Sequence, residues 1–159
     1  MSAFLQSIGY GQWILTVLLV LPLAGVVPVL LGSEASAKRT ALVVTVLEFV
    51  LSVGLWWALE PGLRGTQLVT NVAWIRSWGI AYKVGLDGIS LVMVLLTTAL
   101  MPLSVLASWS YITTRERGFY ALMLTLLTGL VGVFIAFDMF LFYVFFEVML
   151  IPMYFIIGI

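Results

Sequence analysis

The chain has 159 residues, 64% of them hydrophobic and 9% charged, against about 45–50% and 25% in ordinary globular domains. Such a sequence lacks the polar groups to cover its own apolar surface in water, and lipid is the solvent that suits it. Seven basic and seven acidic residues cancel, so no charge excess points to nucleic acid, and the absence of cysteine and histidine removes iron–sulfur clusters, histidine-ligated haem and nearly all zinc and copper sites.

A helix needs about 20 mostly apolar residues to cross the hydrocarbon core. The N-terminus has neither the basic start nor the small-residue cleavage site of a signal peptide. The first predicted span covers residues 13–31 and is broken by Pro22 and Pro28. A short polar loop, 32–39, leads to the second span, 40–59, which carries Glu48. The link over 60–88 is long and opens with the turn signal Pro61-Gly62. Its two runs, 67–75 and 78–86, are rich in Val, Ile, Trp and Tyr around Arg76-Ser77. They read as an extended or hairpin segment on the membrane face. Trp56, Trp57, Trp74, Trp78 and Tyr82 suit an interfacial aromatic belt. The third span is 89–108 with Pro102, the fourth 119–137, and the fifth 139–159 with Glu147 and Pro152. The loop 109–118 is short and polar, and Asp138 alone turns the chain between the last two spans. No internal repeat is visible, and residues 1–159 read as one all-α membrane domain.

Lysine and arginine in short loops set orientation. Lys38 and Arg39 mark the first loop, and Arg115 and Arg117 the third. Arg64, Arg76 and Lys83 are spread thinly over the long link. The first and third loops are therefore expected on the cytoplasmic or matrix side, with the N-terminus and the long link outside.

Proton chemistry here has to use carboxylates, lysines, tyrosines or water. Glu147 follows Asp138 by nine residues, which places it about 13–14 Å deep at 1.5 Å per residue, near the midplane. An ionised carboxylate there costs roughly 2.5–3.5 kcal/mol on insertion scales, so it is expected to face other helices or water. Tyr143, one turn earlier, and Tyr154, two turns later, share its face. Pro152 leaves the Val148 carbonyl without its helical donor, an anchor for water beside the acid. The structural alternative is an acid hydrogen-bonded to a neighbouring helix. Glu48 lies mid-span with Thr45 and Ser52 on its face. That stripe is either a relay element or interhelical glue, with glue the favoured reading. Asp87, ahead of Gly88 and Ser90, is expected to cap the third helix, and Asp138 is read as structural. Pro22, Pro28 and Pro102 read as packed kinks, with the Thr98 carbonyl released by Pro102. No phosphate loop, nucleophile–base pair or metal cluster is present in the sequence.

Two runs go beyond composition. "VGLDGISLVMVLLTTALMPLSVLAS", residues 84–108, and "FDMFLFYVFFEVMLIPMYFIIGI", residues 137–159, resemble the antiporter-like membrane subunits of respiratory complex I. The match is nearest to the M-type subunit, the bacterial counterpart of mitochondrial subunit 4. Two leading helices, a long outer loop and the Asp-Gly-Ile-Ser opening of the third helix follow the family order. The resemblance covers essentially the whole chain.

The resemblance implies a fourteen-helix antiporter-like fold of which this chain is the N-terminal portion. It implies membership of the proton-pumping arm of NADH:quinone oxidoreductase, with other membrane-arm subunits and the lipid bilayer as partners. It implies no cofactor in this chain, and NADH, flavin, iron–sulfur clusters and quinone in partner subunits. Glu147 then stands at the family's key acid, which pairs with a lysine on a later helix. Tyr143, Tyr154, Pro152 and Glu48 are relay or supporting candidates. The chain lacks the later helices, so a truncated, split or partial chain is expected, unable to pump on its own. Related multisubunit cation/proton antiporters and membrane-bound hydrogenases share the module. A passive scaffold and a standalone carrier are the readings from other classes.

Overall fold

The computed structural model describes residues 2–60, 62 and 64–158. Pro61, half of the expected turn signal, lies outside them. Five helices are long and apolar enough to cross a membrane. A short helix α1 (Ser2–Ser7), which hydropathy did not reveal, precedes the first of them. Gly9 joins it to α2 (Tyr10–Leu31) in a left-handed conformation, φ 62°, which glycine adopts freely. Then come α3 (Glu34–Val53) and the single turn α4 (Leu55–Ala58). Strands β1 (Gln67–Ile75) and β2 (Ile80–Leu86) pair antiparallel across the turn Arg76–Trp78. Helices α5 (Gly88–Ser108), α6 (Glu116–Ile135) and α7 (Met139–Gly158) complete the chain.

Two helices begin earlier than their apolar runs. Ser33 caps α3 by accepting from the Ser36 N–H at 3.3 Å, and Glu34 sits in the first turn where the helix dipole favours an acid. The expected loop 32–39 therefore shrinks, and Lys38 and Arg39 belong to the helix. Likewise α6 starts at Glu116. Lys38 and Glu116 form an ion pair of 3.0 Å, and Lys38 also donates to the Trp109 carbonyl at 2.8 Å. Beside them Arg117 Nε donates to Glu34 at 2.9 Å. Charged residues thus lengthen the helices and pin α3 to α6 at one end of the bundle.

The prolines in α2 do not break it, contrary to the expected interruption. The helix runs on through both, with Pro22 buried against its neighbours and Pro28 exposed. The real break is at Gly54, between α3 and α4. A Cβ there would sit 2.6 Å from the Tyr10 hydroxyl oxygen, and that hydroxyl donates to the Leu51 carbonyl, which also accepts from the Gly54 N–H at 3.3 Å.

Helix α6 is the centre of the fold, packed on α2, α3, α5 and α7. Its Tyr120, Leu124, Leu127 and Val131 are fully buried with Ile14 and Leu18 of α2 and Ala37 and Ala41 of α3. The bundle's outer surface is apolar: Leu31, Val50, Leu103 and Ile157 stand exposed, as lipid or further protein requires.

The hairpin is tied to the ends of the helices. The Thr16 and Tyr82 hydroxyls are 3.1 Å apart. Leu68 adopts φ 55° at a register shift in β1 and lies over Gly11 of α2, where a Cβ would meet it at 2.7 Å. Opposite, the Phe137 N–H donates to the Lys83 carbonyl at 2.9 Å. Asp138 accepts from the N–H groups of Phe140 at 3.0 Å, Leu141 at 3.1 Å and Ala81 at 3.3 Å. It therefore caps α7 and clamps β2 together, a larger task than the turn expected of it.

Candidate functional site

Helix α7 meets the rest of the chain along one narrow row. Gly129 and Gly132 of α6 make the seat: a Cβ on Gly129 would lie 2.8 Å from the Met149 backbone, and one on Gly132 would strike Phe145. At 100° per residue, Leu141, Phe145, Met149 and Pro152 form the seated row, and Leu141 and Pro152 are the buried members. Glu147 lies about 120–160° from the members of that row. It is half-buried, and its face carries Tyr143 and Tyr154, which are 57% and 75% exposed. The structure thus brings together Glu147, Tyr143 and Tyr154, and the Tyr143 phenol approaches the carboxylate. Pro152 is on the other side, against α6, so the expected water anchor beside the acid is displaced from it. Among the described residues no ion pair reaches Glu147.

Glu48 is placed differently. With Thr45 and Ser52 it lies on the core-facing row of α3, and all three are fully buried. The interhelical bond of this row is made by Ser52, whose hydroxyl is 2.7 Å from that of Thr98 on α5. Each hydroxyl has one proton, so one of the two donates across the contact while the other donates to a carbonyl of its own helix, that of Phe49 for Ser52 or Val94 for Thr98. Both oxygens of Glu48 have no hydrogen-bond partner among the described residues. The glue expected of Glu48 is supplied by its neighbours instead. Thr98 was read from sequence only for its released carbonyl. Its signal as a hydroxyl partner is a mid-span threonine four residues before a proline.

The two acids lie at similar depth. Glu48 is ten residues from the end of α4 at Ala58, about 15 Å, and Glu147 nine from Asp138, about 13–14 Å. They stand on different helices, α3 and α7, each of which packs on α6.

Asp87 and Asp138 take structural places at helix starts. Asp87 accepts from the Ser90 N–H at 2.7 Å, and that bond holds its carboxyl below the ordinary aspartate range. The Leu141 N–H does the same for Asp138, with help from Ala81, Phe140 and the charge of Lys83. Among the described residues no group of three acids is arranged to hold a metal ion.

Comparison with known proteins places this arrangement. The family model for the amino terminus of NADH-ubiquinone oxidoreductase chain 4 matches residues 15–133. The chain is 41% identical to NADH-quinone oxidoreductase subunit M of Rhodobacter capsulatus over 93% of its length and 30% of that protein. It is 37% identical to the subunit M of Mycobacterium tuberculosis over 91% of its length and 32% of that protein. Among solved structures it resembles a chain of respiratory complex I from Thermus thermophilus with bound NADH, with TM-score 0.71 and 26% identity, covering 87% of this chain and 27% of that one. The chain therefore spans about a third of the length of these relatives, and its helices and hairpin belong to the amino-terminal region of the NADH-ubiquinone oxidoreductase chain 4 family.

Proposed function

We propose that this chain forms the amino-terminal part of a membrane-arm subunit of a proton-pumping NADH:quinone oxidoreductase, and that Glu147 binds and releases protons on a path coupled to electron transfer elsewhere in the assembly. The observation that carries the reading is the face on which Glu147 stands. It is near mid-membrane, turned away from the helix that holds α7, with two tyrosines beside it and no cation from the described residues. Ionised against lipid it would cost roughly 2.5–3.5 kcal/mol or more. That cost is removed when further helices of the longer protein cover the face and supply a positive partner. An acid held between desolvation and such a partner changes its proton affinity when the partner moves, and that is the property a pump needs.

The hairpin and the Asp138 turn are assigned to the outer side with the N-terminus, and the Lys38–Glu116 end to the cytoplasmic or matrix side, in an energy-transducing membrane such as the bacterial inner membrane. NADH, flavin, iron–sulfur clusters and quinone are assigned to partner subunits.

The test is purification of the intact assembly through a tag on the full-length subunit. Bound flavin and NADH-dependent quinone reduction are expected in the purified material. An assembly without flavin, or one that evolves hydrogen, would transfer the chain to the related antiporters or hydrogenases.

A further inference from the structure

Glu48 is a carboxyl group that the reading of Glu147 leaves unused. It is fully buried between α3 and its neighbours, and neither oxygen has a hydrogen-bond partner among the described residues. We propose that Glu48 is a second intramembrane proton-binding site: a carboxylic acid that keeps its proton at neutral pH, exchanges it through internal water, and shares that water with the Ser52 and Thr98 hydroxyls between α3 and α5.

The argument starts from what surrounds it. Helix α5 carries no ionisable side chain over its whole length. On α2 the one ionisable group is Tyr10, at the outer end, where its hydroxyl is bonded to Leu51. On α6 they are Glu116, Arg117 and Tyr120, all in the first turns at the opposite end. On α3 itself they are Glu34, Lys38 and Arg39. Lys38 is the nearest cation along the helix that faces the core. It is ten residues away, about 15 Å, and Glu116 holds it at 3.0 Å. No positive charge of these elements reaches Glu48, so an anion here would be buried and unpaired, which a marginally stable fold does not tolerate. The neutral acid removes the charge.

The neutral acid still needs a donor for its carbonyl oxygen and an acceptor for its O–H. Ser52 is one turn along the same face, and its contact with Thr98 places two hydroxyls there. Pro102 has no N–H, so the Thr98 carbonyl has no helical donor and is free to accept from water. An acid, two hydroxyls and a carbonyl without a helical donor, on facing turns of α3 and α5, supply the two to four polar partners that a bridging water uses. Exchange is then a balanced, concerted step: the Glu48 O–H bond breaks as its proton bonds to the water oxygen, and one of that water's own O–H bonds breaks as its proton bonds to the other Glu48 oxygen, so the acid stays neutral. The assignment does not rest on the role of Glu147.

The test is infrared spectroscopy of the purified assembly at neutral pH in H2O and D2O, in the carbonyl-stretch region of protonated carboxylic acids. Wild type is expected to show a band that shifts in D2O, that is lost in Glu48→Gln, and that is displaced in Thr98→Val. Superimposable spectra for wild type and Glu48→Gln would overturn the proposal, because Glu48 would then be ionised. A Glu48 band that does not move in D2O would also overturn it, because the proton would not exchange. Should Glu48→Gln fail to assemble, Thr98→Val decides: a displaced band supports the shared water, and an unmoved one refutes it.

Discussion

The seat of α7 on α6 gives the sharpest mechanical prediction. Substituting Gly129 by alanine adds a Cβ that would sit 2.8 Å from the Met149 Cα and N, both backbone atoms that no rotamer change can remove. Comfortable carbon contacts are about 3.5–4.0 Å, so α7 must retreat by about 1 Å. Overpacking of this kind costs about 1–3 kcal/mol. Among the described residues α7 is held along its length mainly by the row on α6, with β2 touching only its start, so the retreat carries Glu147 with it. A catalytic group displaced by 1 Å can lose as much as about 100-fold. The assay is proton pumping per NADH oxidised in membranes with the intact assembly, with its amount checked on native gels. Gly118→Ala on the same helix is the control, since nothing lies within 4 Å of its added Cβ. Pumping is expected to fall at least several-fold in Gly129→Ala and to stay at the wild-type level in Gly118→Ala. Equal pumping in the two variants would refute the claim that the glycine seat positions the acid.

Other substitutions probe the frame. Tyr10→Phe removes one of the two donors to the Leu51 carbonyl, leaving the Gly54 N–H, and is expected to destabilise the assembly by about 1 kcal/mol, read as a lower unfolding midpoint in light-scattering scans. Lys38→Met leaves Glu116 without its cation in a site where both side chains are about seven-eighths buried, and about 2 kcal/mol is expected to be lost. The double variant Lys38→Met with Glu116→Leu should recover most of it, and a double variant worse than the sum of the singles would contradict the pairing. The pH response of Asp138 has a definite sign. Its carboxyl is lowered in the fold, so its contribution is complete above the ordinary aspartate value of about 4 and is lost as pH falls through the lower folded value. Hydrogen-exchange protection of the Ala81 amide should be constant from neutral pH down to about 5 and drop only below about 4. A drop near neutrality would assign the clamp to another group.

Much of the frame was legible in the sequence because lipid imposes a simple rule on it. The spans followed from uninterrupted apolar length, and the hairpin from β-branched and aromatic runs on either side of Arg76-Ser77. The Asp87 cap followed from the residue types that open helices. Helix starts were misplaced because hydropathy stops at the first charge, whereas Glu34 and Glu116 are favoured in the first turn of a helix. The break at Gly54 escaped notice because a single glycine in an apolar span carries no signal of its own, and its cause is the Tyr10 ring of another helix, which leaves no room for a Cβ. The site was legible by type and not by surroundings. Residue spacing put Glu147, Tyr143 and Tyr154 on one face. It gave no sign that Pro152 lies against α6 or that Ser52, rather than Glu48, makes the interhelical bond. Those are properties of neighbouring helices, which spacing along one helix does not contain.

The central claim is that Glu147 handles protons on a coupled path. Its most direct test is Glu147→Gln in the intact assembly, which keeps the side chain's size and removes its ability to ionise. Proton uptake into vesicles and NADH-dependent quinone reduction would be followed together. Loss of pumping or of coupled turnover, with normal assembly on native gels, is the predicted result. Pumping at the wild-type level would contradict the account and leave α7 as structural membrane packing.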